Sequence, residues 1–590
     1  MASAFSRKEL LSRAAVIVLA GLFAYANSLS GPFLFDDESS IVGNRSIRDV
    51  GSSLSPPRET PVAGRPLVNL TFALNYAFGG LDVRGYHLVN IAIHVAAALV
   101  LFGIVRRTLL LPQLARRFGT ASADVALGCG LIWMLHPLQT EAVNYLSERT
   151  ESLMGLFYLL TLYSSIRGSD ADRRSNRGLT PRRWRGAAIA ACAAGMACKE
   201  SMVTAPVMVV MYDRVFLFDG FRAAFRARRG FYAGLFASWL VLAALMAATP
   251  RTSVGFGAGT SPWVYLLNQA ELLARYLWLS AWPRELVLDY GLPRSLTLGD
   301  AIVPGALVVA LIAATAVALR YAPTIGFLGA WFFLTLAPTS SIVPIATEVG
   351  AERRMYLPLA GIVALGVVGL WRVLSRGPQG SAPRHRSFVA VATAVCILLG
   401  AGTILRNQEY QSRLAIARTI VERRPHGRAH FLLANELIGA GQRDEAMAQL
   451  RLSARDYPGA HFALGTELLG EGRTDEAIAE IETFLRALPA HANAVPARDM
   501  LGRAYLAQGK FPQAAEQFRY LHEKAPSYRG AGNDILLNLG YALVGSGRLL
   551  EAVPVLERAA ESSPNDAAVR DLLSRVRAAS GVPPLTNRPN

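Results

Sequence analysis

Ala14-Ala-Val-Ile-Val-Leu-Ala-Gly-Leu-Phe-Ala-Tyr-Ala-Asn-Ser-Leu29, followed almost at once by Phe33-Leu-Phe-Asp36-Asp37-Glu38-Ser-Ser-Ile41, sets the frame for the rest of the chain. The first stretch is almost wholly apolar and close to the length a helix needs to cross a hydrocarbon core. The second puts adjacent carboxylates where that helix would meet water. Like charges raise each other's pKa, so such a pair is costly to keep ionised. It suits a general base or a divalent-cation site. Read alone, it suits an acidic membrane edge equally well.

The pattern does not stop there. Of 590 residues, 52% are hydrophobic, and they are unevenly placed. Apolar runs of membrane length recur through residues 14–405, while residues 406–590 are polar with helical periodicity. The apolar runs predict an all-α, polytopic membrane domain with spans at 14–29, 86–104, 123–138, 150–166, 186–198, 201–213, 231–249, 301–319, 324–340, 356–374 and 387–405. The net charge of +17 could suggest nucleic acid. Its placement excludes that class: Arg106, Arg107, Arg116 and Arg117 share one connection, and Arg167, Arg173, Arg174, Arg177, Arg182, Arg183 and Arg185 fill another. Arg214, Arg222, Arg226, Arg228 and Arg229 fill a third, and Arg372, Arg376, Arg384 and Arg386 flank a fourth. Short basic connections stay cytoplasmic. An inside N-terminus (Arg7, Lys8, Arg13) puts every one of them on that side and leaves 31–85, 139–149, 250–300 and 341–355 outside, together with residues 406–590. The partner implied is the lipid bilayer, and the compartment is a bacterial inner membrane with the C-terminal part in the periplasm. Trp263 to Trp282 is apolar but interrupted by Glu271, Arg275 and Pro283, and reads as a re-entrant or interfacial helix. Ala24-Tyr25-Ala26 resembles a signal-peptidase site, yet a polytopic chain needs its first span, so retention is expected. Cys129, Cys192, Cys198 and Cys396 lie in apolar runs without metal-ligand spacing and read as small core residues.

Residues 427–575 carry an internal repeat. Gly441, Ala446 and Pro458 are matched by Gly472, Ala477 and Pro489, by Gly509, Ala514 and Pro526, and by Gly547, Ala552 and Pro564. Gly permits a turn between two helices, the small residue lets them approach, and Pro stops the second. This resembles the tetratricopeptide repeat. The expected organisation is a membrane domain over 1–405, a linker helix over 406–426, the repeat array over 427–580 and a disordered tail over 581–590. Such arrays bind peptides or proteins in a concave groove, or act as spacers.

The topology brings Asp36-Asp37, Glu141, Arg149, Lys199-Glu200 and Glu352-Arg353-Arg354 to one outer face. Ionisable groups at that depth need partners or a ligand. Only four of the 60 basic residues are lysine, and Lys199 is the only one in the membrane half after Lys8. Where Arg dominates so strongly, a Lys suggests that a compact charge is wanted; pairing with Glu200 or Glu141 is the plainer reading. His87, Asn90 and His94 share one helix face and read as packing groups before groove-lining ones. His136 either caps a helix or meets an anion. Glu271, Arg275 and Asp289 are further outer-face polar groups.

Five ordered segments then line up with one family: Phe35-Asp36-Asp37 with Ile41 and Asn44; Arg65-Pro66-Leu67 through Asn75-Tyr76 to Tyr86-His87-Leu88-Val89-Asn90 and His94; His136-Pro137 with Thr140-Glu141-Ala142-Val143, Arg149 and Glu151; Lys199-Glu200 with Pro206 and Asp213; and Glu352-Arg353 with Tyr356-Leu357-Pro358. Together they resemble the transmembrane and tetratricopeptide repeat-containing O-mannosyltransferases, which belong to the GT-C glycosyltransferases. Arg354 departs from that pattern, which more often has an aromatic residue there. The resemblance implies sugar transfer, mannose by the family's name, from a polyprenyl-phosphate carrier to a protein hydroxyl. It makes Asp36 and Asp37 catalytic. Lys199, Arg353, Arg354, Arg149 and His136 become candidates for the donor phosphate, with Glu141, Glu200, Glu352, Tyr356, Arg65 and His87 in support. No cofactor is required by the sequence; a divalent cation (magnesium or manganese) at Asp36, Asp37 and Glu38 is left open. Two other readings are a membrane scaffold that docks envelope proteins through its repeats, and a ligase or polymerase with a lipid or glycan acceptor.

Overall fold

The computed structural model describes residues 6–581 apart from 59, 174–179, 250–253, 258, 375–381, 529–534 and 564. Arg174, Arg177, Arg376, Pro564 and all but the first residue of the expected tail lie outside the described residues, as does the side chain of Arg384. Contacts divide the chain into two compact units, Met1–Arg424 and Pro425–Asn590. Both are all-α. Among the described residues the only extended pairing is an isolated bridge between Val254 and Ile345.

The first unit is a helix bundle. Besides short connecting helices at Pro66–Gly79, Pro112–Phe118 and Thr140–Asn144, its helices are α1 (Arg7–Tyr25), α2 (Val83–Leu109), α3 (Ser122–Met134), α4 (Arg149–Arg173), α5 (Pro181–Met196), α6 (Ala205–Tyr212), α7 (Phe221–Ala237), α8 (Trp239–Ala248), α9 (Pro262–Ala281), α10 (Leu298–Tyr321), α11 (Pro323–Leu336), α12 (Pro358–Leu374), α13 (Ala382–Glu409) and α14 (Arg413–Arg423). Caps mark where several begin. Ser6 and Glu9 form a reciprocal capping box on α1, as Thr297 and Asp300 do on α10.

Polar contacts group the ends of several helices. At one end, Arg13 at the start of α1 meets Asp124 at the start of α3 (2.7 Å), and Arg107 at the end of α2 meets Asp170 near the end of α4 (2.6 Å). At the other end, Asn27 beyond α1 donates to the Ile404 carbonyl near the end of α13 (2.9 Å), and His87 at the start of α2 meets the Gly31 carbonyl (3.0 Å). Among the described residues, five stretches are long and apolar enough to cross a bilayer: Arg7–Ser28, Val83–Leu109, Phe221–Ala248, Leu298–Tyr321 and His385–Glu409. The chain is thus built as a multi-pass membrane protein, with shorter apolar helices at Ser122–Met134, Pro323–Leu336 and Pro358–Leu374 beside them. The expected span 201–213 is α-helical only over α6, with a 3-10 turn before it and a π turn after it. The expected outer loop 31–85 contains its own helix, Pro66–Gly79.

The stretch read as re-entrant or interfacial is α9. Tyr265 donates to the Thr339 carbonyl (3.0 Å), Tyr276 to the Ala351 carbonyl (2.9 Å), and the Ser280 carbonyl meets His136 (3.2 Å). Its first and last turns therefore bond to segments at the same end of the bundle, and α9 does not cross.

The second unit stacks helix pairs: α15 (Gly427–Gly439) with α16 (Arg443–Ser453), α17 (Ala460–Gly470) with α18 (Thr474–Ala487), α19 (Ala494–Ala507) with α20 (Phe511–Lys524), and α21 (Ile535–Gly545) with α22 (Leu549–Ser562), closed by α23 (Ala567–Ser580). The four repeat glycines, Gly441, Gly472, Gly509 and Gly547, all have φ between 70° and 76°, a conformation glycine adopts without strain. Ala446, Ala477, Ala514 and Ala552 are buried between paired helices.

Candidate active site

The acid pair sits on a strained corner. Phe35 has φ of 31°, unusual for a residue with a side chain, and its ring meets the Tyr145 ring edge-on. The corner sends the two following carboxylates in different directions. Asp37 is fully buried; its Oδ2 accepts from the Leu34 N–H (2.9 Å) and its Oδ1 from the Ser147 N–H (2.6 Å). It ties the loop after α1 to the loop before α4. Burial pushes its pKa up to about 7, although both N–H groups favour its charged form. Asp36 is exposed, while its backbone N–H donates to the Tyr145 hydroxyl (2.9 Å). Crowding by protein atoms, together with the carboxylates Glu148 and Glu348, holds its pKa above the ordinary aspartate range against the pull of Arg353.

Near Asp36 lies a knot of charges. Arg353 pairs with Glu141 through its side chain and its backbone N–H (2.8 Å), with Glu148 (3.1 Å) and with Glu348 (2.6 Å). Lys199 pairs with Glu151 and lies 4.0 Å from Glu148. Glu148 is the hub. Burial would raise its pKa, but Arg353, Lys199 and Arg65 outweigh it and hold the carboxyl below its usual range. Glu141 goes the other way, raised to about 7 by burial in spite of Arg353. Arg65 reaches Glu200 (3.1 Å) at the edge of the knot.

Other predicted residues serve the scaffold. Arg149 is completely buried: Nε donates to Asn90 (2.6 Å), Nη1 to Asn75 (2.7 Å) and Thr71 (3.1 Å), and Nη2 to the Tyr86 carbonyl (3.0 Å). Its guanidinium lies 4.5 Å from the Phe72 ring centroid. All three guanidinium nitrogens are spent on protein, which corrects its reading as a phosphate ligand. Arg354 braces the loop 339–349 through the Thr339 (2.9 Å) and Glu348 (3.1 Å) carbonyls. His136 accepts from the Leu138 N–H (3.2 Å) and caps the turn that follows. Tyr356 hydrogen-bonds His94 (2.9 Å) inside the bundle. Glu352 is buried, accepting from the Val287 N–H (2.6 Å) and the Tyr290 hydroxyl (3.2 Å), and burial raises it to about 8. Glu271 pairs with Arg294 (2.8 Å), Arg275 donates to the Glu285 carbonyl (2.9 Å) and Asp289 accepts from the Gly291 N–H (2.9 Å), so these three brace outer segments.

The divalent-cation reading does not fit this geometry. Asp37 has both oxygens on backbone N–H groups, and Glu38 turns toward Arg413 (3.8 Å). Among the described residues no three His, Cys, Asp or Glu side chains are placed to share a metal ion.

Residues 500–567 match the tetratricopeptide repeat family. Protein O-mannosyl-transferase Tmtc1 of Drosophila melanogaster is 29% identical over 51% of this chain and 37% of its own length. Protein O-mannosyl-transferase Tmtc2 of the same organism is 30% identical over 47% of this chain and 30% of its own, and human protein O-mannosyl-transferase TMTC2 is 33% identical over 34% and 23%. The chain thus spans between about a quarter and little more than a third of the length of these curated relatives. Among solved structures, ArnT from Cupriavidus metallidurans, crystallised with undecaprenyl phosphate, aligns over 90% of this chain and 84% of its own at 13% identity and a TM-score of 0.40. A likeness that loose says nothing about the site.

Proposed function

We propose that this chain is a GT-C-type membrane glycosyltransferase that moves a sugar, mannose by analogy with its relatives, from a polyprenyl phosphate to a Ser or Thr hydroxyl of a protein. The observation that carries the reading is the exposed Asp36 in the field of Arg353 and Glu148, with Lys199 on the far side of Glu148. Asp36 takes the hydroxyl proton as the oxygen attacks the anomeric carbon. The bond to the phosphate oxygen breaks on the opposite face, the configuration inverts, and polyprenyl phosphate leaves toward the two cations. Asp37 holds the loop that aims Asp36. The known partners of Lys199 and Arg353 are carboxylates, so an arriving phosphate exchanges one set of charge contacts for another and the cations stay paired throughout.

Lys199→Ala should lower transfer about 10²-fold, read as a loss in kcat/KM for the polyprenyl-phosphate sugar, because it removes charge stabilisation of the leaving phosphate. Unchanged donor kinetics would reduce Lys199 to a partner of Glu151. The orientation proposed is N-terminus cytoplasmic and repeats periplasmic in a bacterial inner membrane, supported by the arginine-rich connections. A periplasm-active phosphatase fused after Asn590 should be active; a silent fusion, with a cytoplasm-active reporter positive at the same site, reverses the orientation. The repeats are proposed to hold the protein acceptor and raise its local concentration. Deleting residues 427–590 should spare transfer to a small hydroxyl acceptor and impair transfer to the native one. Equal transfer to both would leave the repeats a spacer.

A further inference from the structure

We propose that the first two turns of α7 are a docking surface for anionic phospholipid headgroups in the leaflet at that end of the bundle. Phe221 and Phe225 are 48% and 45% exposed and lie one turn apart on the same side of the helix. Arg222 and Arg226 follow them directly, Arg229 lies one turn further on, and the Arg214 guanidinium sits 5.9 Å from the Phe221 ring centroid.

These cations are not consumed by the protein. Among the described residues no carboxylate pairs with Arg214, Arg222, Arg226 or Arg229. Of the two acids nearby in sequence, Asp219 is exposed, and Asp213 is buried and taken by Arg228 (2.5 Å) and Tyr232 (2.6 Å). Four guanidinium groups without a carboxylate partner therefore stand against a single exposed acid in this stretch of sequence, Asp219. The helix also breaks here: Arg228 has φ of −131° and ψ of 19° inside α7. The break is locked, because Arg228 is 4% exposed, bonds the Ser165 carbonyl (3.3 Å) as well as Asp213, and stacks on Phe231 (4.4 Å). The segment before the break is thus set off from the pass that follows, at the end of the bundle where Arg107 and Asp170 also lie.

A short basic segment with exposed aromatic rings, joined to a crossing helix, suits the boundary between acyl chains and headgroups. The rings enter the acyl edge and the arginine forks meet phosphate oxygens. A soluble acidic protein would match the charge, but it would leave the two phenylalanines in water beside a bilayer.

The test uses the full chain in lipid nanodiscs. Phe225→Trp adds an emitter whose quenching is measured above that of the eight native tryptophans. Brominated phosphatidylglycerol should quench the added emission about threefold more than brominated phosphatidylcholine at equal mole fraction, and high salt should narrow the difference. Combining Phe225→Trp with Arg222→Gln, Arg226→Gln and Arg229→Gln should abolish the preference and keep the quenching, since all four leave the Asp213–Arg228 lock in place. No added quenching by either lipid would put this face off the membrane and point to a soluble partner. Equal quenching by both lipids at low salt would overturn the headgroup preference.

Discussion

Replacing Asp36 with Asn should cut sugar transfer by about 10²–10⁴-fold and leave the fold intact. Its residue is exposed, and the amide oxygen of Asn can still accept from the buried Tyr145 hydroxyl, so the exchange removes a proton acceptor without orphaning that donor. The wild-type pH profile carries the same signature. The base works only when ionised, and crowding by protein atoms, with Glu148 and Glu348, raises its pKa. Transfer should therefore fall, as pH drops, at a higher pH than an ordinary aspartate with pKa about 4 would give. In Asp36→Asn that acid limb should vanish from the residual rate. Asp37→Asn should behave differently, although the two residues are neighbours. Its amide would turn an NH₂ toward the backbone N–H of Leu34 or Ser147, costing about 1–3 kcal/mol at the loop junction. Its loss of activity should come with a lower melting temperature, whereas that of Asp36→Asn should not.

Arg149→Ala should be the most destabilising single change, by about 3–5 kcal/mol, read as a fall in melting temperature and yield in detergent. It strips donors from Asn90, Asn75 and the Tyr86 carbonyl inside the bundle and leaves those acceptors without water. Arg149→Lys should recover little, since one ammonium cannot reach three sites that a planar fork spans. A stable Arg149→Ala chain with a weakened affinity for the donor would instead return this residue to the phosphate site.

The fold was legible because its signals are local. Each apolar run became a helix, and the glycines of the repeat take the positive φ that their spacing implied. Lys199 stood out by its rarity. The division of labour between Asp36 and Asp37 was not legible: adjacent carboxylates look alike in a sequence, and the turn at Phe35 that parts them depends on packing against Tyr145. Glu148 and Glu348 were missed for a related reason. Glu148 precedes Arg149 and reads as half of a surface pair, yet its partners come from residues 199 and 353, far along the chain. Arg149 misled in the opposite way. A cation at the mouth of a bundle suggests an anion, and only the positions of Asn75 and Asn90 reveal that it is a strut.

The most direct measurement is transfer by the purified chain in proteoliposomes loaded with polyprenyl-phosphate mannose and a soluble envelope-protein fraction, followed by mass spectrometry of the proteins. The account predicts a hexose on Ser or Thr of specific proteins with the wild-type chain, and none with Asp36→Asn. Wild-type proteoliposomes that modify no protein, or modify only lipid or glycan, would contradict it, as would an Asp36→Asn chain that transfers at the wild-type rate.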